Sequence, residues 1–82
     1  MSAWFKDDTD ALFEEAKWIA WDFLDRSNEI DDPAEARQFL AGRIAFMIGQ
    51  GQRNKLLLSN RAIAAFREYK NARTIELALV FR

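Results

Sequence analysis

The sequence has no cysteine and no histidine. Without cysteine there are no disulfides, thiolate metal sites or cysteine nucleophiles. Without histidine the chain lacks the commonest general base and metal ligand, and the one side chain that changes charge near neutral pH. One proline and three glycines make no Pro/Gly-rich linker or low-complexity tract. No uninterrupted apolar run, that of Leu77 to Phe81 included, approaches the length of a membrane span. The opening stretch turns acidic at Asp7 and Asp8, without an apolar segment of signal-peptide length. There is no Asn-x-Ser/Thr acceptor and no lipidation motif. A cytoplasmic protein with no membrane association is the expectation.

What the chain does have is a polarised charge. Residues 1–35 carry 11 Asp/Glu against 3 Lys/Arg, and residues 36–82 carry 9 Lys/Arg against 2 Asp/Glu, so the formal net charge of −1 conceals two opposed halves. Opposite fields of this kind pair within a fold, pair between copies, or offer a basic face to an acidic partner. The chain has 82 residues, half of them hydrophobic, which predicts one small domain whose core needs dense packing. Three Trp, seven Phe and one Tyr are rich for that length. They either fill the core or are covered by a second copy.

Periodicity predicts an all-α, three-helix bundle-like fold with helices near 9–27, 33–49 and 59–72. In the first, Leu12, Ala16, Ile19 and Phe23 recur at helical spacing, widened by Phe13, Ala20 and Leu24. Asp8 or Thr9 reads as its cap. At 100° per residue, Trp18 and Trp21 fall about 160° and 140° from the centre of that apolar arc. Asp32-Pro33-Ala34-Glu35 has the chemistry of a second start: a capping carboxylate, a proline at the first helical position, and a glutamate able to reach back. That helix is apolar around most of its circumference, which predicts a central helix. Gly42, costly in a helix interior, then suggests another backbone passing close by. Gly49-Gln50-Gly51 reads as a stop and Ser59 as the cap of the third helix. The apolar tail, residues 74–82, alternates like a strand but has no other alternating segment to pair with. A helical or irregular tail docked on the bundle is therefore expected, with strand pairing to a second copy across a two-fold axis as the alternative.

Motifs for chemistry are scarce. The acidic cluster from Asp25 to Asp32 fails as a calcium loop, because Ile30 stands where glycine is needed and Ala36 where the closing glutamate is needed. Gly49 to Lys55 lacks the Walker sequence, and no strand precedes it. Ser27 and Ser59 have no histidine to activate them. An enzyme would have to work with carboxylates alone and an unusually raised carboxyl pKa, so a non-enzymatic protein without cofactor or metal is the expectation. Off-core aromatics point to a contact surface, since paired exposed Trp is unfavourable in water and Trp is enriched at interaction hot spots. The candidate protein-interface residues are Trp4, Trp18, Trp21, Leu77, Leu79 and Phe81, with a homodimer or another protein as partner. The alternative is DNA or RNA binding by the basic half, where Arg53, Lys55, Asn60, Arg61 and Arg67 are the candidate contacts.

Overall fold

The computed structural model describes residues 3–80, with side chains from 9 to 79. It contains three helices, α1 (Ala3–Arg26), α2 (Pro33–Gly49) and α3 (Lys55–Val80), and no strand among the described residues. Each helix packs on the other two. None of the described helices is long and apolar enough to cross a membrane.

The boundaries of α2 follow the local chemistry. The Asp32 carboxylate accepts the Glu35 backbone N–H at 3.2 Å, with Pro33 at the first helical position. Glu35 does not reach back to the cap; its carboxylate accepts the Tyr69 hydroxyl at 2.7 Å and pairs with Arg73. At the other end Gly51 takes φ of +100°, its N–H donates to Ile48 O, and Gln52 N–H donates to Met47 O. This is a Schellman stop. α1 ends the same way on Asn28 at φ +61°, with Asn28 N–H to Asp25 O and Glu29 N–H to Leu24 O.

The other two starts differ from expectation. α1 begins at Ala3, so Asp8 and Thr9 lie inside a helix. α3 begins at Lys55, capped by Asn54, whose side-chain oxygen accepts Leu57 N–H at 3.0 Å. Ser59 is not a cap. It is 1% exposed inside α3, donating to Lys55 O at 2.8 Å and lying 3.4 Å from Ala16 O of α1. Nor is the tail docked: α3 continues through it as helix, and residues 71–79 are all exposed.

The core is narrow. Ala16, Ala20 and Leu24 of α1 meet Ala36, Leu40 and Ile44 of α2 and Leu58, Ala62, Ile63 and Phe66 of α3. Phe39 stacks on Tyr69 with ring centroids 4.9 Å apart and meets Phe66 edge-on at 5.7 Å, joining α2 to α3. α2 is no more central than its neighbours: Ala45 and Phe46 are exposed, and a Cβ added at Gly42 would meet nothing within 4 Å. Among the described residues no backbone crosses there.

Two projections follow from the register. α1 and α3 run parallel, with Ser59 beside Ala16 and Arg67 paired to Glu29. At 1.5 Å per residue the start of α1 projects about 14 Å beyond the level of Lys55, and the end of α3 projects past the α1–α2 turn at the opposite end. The molecule is correspondingly long, 59 × 25 × 20 Å.

Candidate interaction site

Trp18 is 61% exposed. The buried arc of α1 is centred on Ala16, Ala20 and Leu24, so it is rotated by about 40° from the arc that the apolar spacing implied. The rotation moves toward Trp21, which is half-buried against the core, and leaves Trp18 on the far side. Arg37 of α2 lies over the Trp21 ring at 5.5 Å from its centroid. Together with Leu40 these side chains line an apolar cleft of about 230 Å³ between α1 and α2.

Leu77 and Leu79 are 49% and 61% exposed, and Ile75 is exposed beside them. They sit on the projecting end of α3. Trp18 is level with about Asn60, so Leu77 is about 25 Å farther along the bundle axis. The aromatic cleft and the aliphatic projection are therefore two patches, which the fold does not bring together. The side chain of Trp4, and Phe81 entirely, lie outside the described residues.

The candidate nucleic-acid contacts are dispersed. Lys55 pairs with Glu15 at 2.9 Å, and Arg67 grips Glu29 through two hydrogen bonds of 2.9 and 2.7 Å. Arg53 donates to Ile48 O at 2.9 Å, at the carbonyl end of α2. Asn60 and Arg61 are exposed on α3. The pairing extends along one edge, where Lys70 meets Asp31 at 2.8 Å and Arg73 meets Glu35. Four cations of the basic half thus pair with four carboxylates of the acidic half within one molecule. Hydrogen bonding to Arg67 holds the Glu29 carboxyl below its ordinary value, and bonding to Lys70 does the same for Asp31.

Spacing alone did not indicate a third surface. Between α2 and α3 runs an open groove of about 660 Å³, lined by Met47, Ala64 and Ala65, by Phe46 at 60% exposure, and by the charged Arg43, Arg61 and Glu68. Neither arginine forms an ion pair among the described residues, nor do Arg37 and Arg53, whereas Lys55, Arg67, Lys70 and Arg73 all do. The only sequence signal for this surface was Phe46 flanking a helix that is apolar nearly all round.

No protein-family model matches the chain, no curated protein matches it in sequence, and no solved structure matches its fold.

Proposed function

We propose that this chain is a small non-catalytic interaction module that associates with copies of itself through surface its own bundle leaves open. Trp18 carries the reading. An indole 61% exposed, beside a second indole stacked under Arg37, is the composition of an interaction hot spot and an unfavourable one to leave in water. The exposed Leu77 and Leu79 on the α3 projection supply a second apolar patch. Internal ion pairing limits how far the two charged halves can orient a partner, so aromatic and aliphatic burial is the main driving force.

Sedimentation equilibrium at micromolar concentration tests this. The chain is expected as a dimer or larger, and Trp18→Ala is expected to shift it toward monomer with its helical circular dichroism unchanged. Trp18→Ala is the clean variant, because Trp21 also packs on the core and its loss lowers stability. A wild-type monomer across the accessible concentrations refutes the reading. Nucleic-acid binding is less supported, since Lys55 and Arg67 are engaged with Glu15 and Glu29. Retardation of a mixed duplex, falling steeply with salt, would reverse that preference.

A further inference from the structure

The Trp18 cleft cannot be the whole of a stable contact. Trp18 and the exposed part of Trp21 offer on the order of 200 Å² per copy, where specific interfaces bury about 1,200–2,000 Å² in total. A self-associating chain of this shape needs a larger surface, and the α2–α3 groove, at about 660 Å³, exceeds the Trp18 cleft at about 230 Å³.

Two observations identify its occupant. The first is charge. Among the described residues Arg43 and Arg61 form no ion pair, and with the single carboxylate Glu68 they leave the groove with a net positive lining. The complementary surplus lies at the start of α1, where the sequence reads Trp4-Phe5-Lys6-Asp7-Asp8-Thr9-Asp10, two aromatics followed by three carboxylates and only one cation. The second is length. That part of α1 is helical and projects about 14 Å beyond the level of Lys55, with no helix of its own bundle alongside. Arg61 and Ala64 lie about 9 and 14 Å in from the same end of the bundle. If two copies meet end to end about a two-fold axis, each projection spans the partner's groove from its mouth to about Ala64.

We propose that the α2–α3 groove is a docking site for the projecting start of α1 from a second copy, exchanged reciprocally across a two-fold axis. The small residues Ala64 and Ala65 allow a helix to approach closely. Asp7, about 8 Å beyond the level of Lys55, comes level with Arg61, and the aromatic part of the segment lies deeper, over Ala64 and Ala65. The contact is isologous, so it closes at a dimer. It rests on the self-association reading above and adds a surface distinct from both the Trp18 cleft and the patch of Leu77 and Leu79.

A charge-swap experiment tests it. Arg43→Glu with Arg61→Glu reverses the groove, and Asp7→Lys with Asp8→Lys and Asp10→Lys reverses the projection. Each variant alone is expected to be monomeric, with dimerisation weakened about tenfold or more, because like charges then face each other. Mixed in equal amounts, the two variants are expected to form a heterodimer, since both of its contacts again join opposite charges. A monomeric wild-type chain overturns the self-association reading and this proposal with it. A wild-type dimer that survives either reversal, or variants that stay monomeric when mixed, overturns the groove assignment alone and leaves the Trp18 contact standing. Retention of a mixed DNA duplex by the wild type and not by the groove variant assigns the arginines to nucleic acid and also overturns it.

Discussion

Small side chains set the spacing of this core. Ala16 and Ala20 on α1 face Ser59 and Ala62 on α3, each 0 or 1% exposed. The Ser59 hydroxyl, 3.4 Å from the Ala16 carbonyl oxygen, leaves little room between the two backbones. The same residue explains a misreading: serine competes for caps because its hydroxyl bonds the local backbone, and here it bonds backward to Lys55 O within the helix. At these alanine positions a larger side chain has no room. Ala62→Leu is expected to destabilise the fold by about 1–3 kcal/mol through overpacking. The same change at exposed Ala72 is expected to alter stability by less than about 0.5 kcal/mol. Urea unfolding midpoints of the two variants check the contrast.

At the scale of the elements, glycines that look alike in the sequence act oppositely. Gly51 stands at φ +100° in the stop of α2, a conformation in which an L side chain is strained. Gly42 is an exposed helical residue with open space where a Cβ would go. Gly51→Ala is therefore expected to cost about 1 kcal/mol or more, and Gly42→Ala to stabilise by about 1 kcal/mol, both read from denaturant midpoints. Similar stabilities for the two variants would mean the helix stop is not as described. The bounds of α2 were legible in the sequence because Asp32-Pro33 and Gly49-Gln50-Gly51 act within one turn of themselves. The starts of α1 and α3 were not. Asp8, Thr9 and Ser59 are capable caps, but Ala3 to Lys6 and Lys55 to Leu58 ahead of them contain no breaker, so the helix propagates through. Trp18 was legible as an off-core residue from its angular position alone. The half-burial of Trp21 was not, because it depends on where α2 lies against α1. The α2–α3 groove was hidden for a related reason: it emerges only once ion pairing has sorted the engaged cations from the unengaged ones.

Across the whole molecule, the opposed charges of the two halves become a seam. Glu15, Glu29, Asp31 and Glu35 meet Lys55, Arg67, Lys70 and Arg73 in order along α3, which fixes the register of that helix against the other two. Each pair is exposed and individually weak. Their joint effect has a definite pH dependence. The Glu29 and Asp31 carboxyls are lowered in the folded state by their hydrogen bonds to Arg67 and Lys70. Near pH 4 the unfolded chain therefore binds more protons than the folded one, and stability rises with pH through that window. The contribution is complete above the ordinary carboxylate values and is lost as pH falls through the lower folded ones. At the alkaline end, Lys70, Arg67 and Tyr69 are raised, chiefly by hydrogen bonds to Asp31, Glu29 and Glu35. Their contribution is complete below the ordinary values and is lost as pH rises through the folded ones. With no histidine, no side chain of ordinary pKa changes charge in the interval between. The thermal midpoint is thus expected to be level from about pH 6 to 9 and to fall below about pH 4. Arg67→Met removes the partner that lowers the Glu29 carboxyl. It is expected to lower the plateau while making the acid limb shallower, because Glu29 then loses the main cause of its lowered value in the folded state. An acid limb of unchanged slope in that variant would show that the seam does not govern the acid stability of the fold.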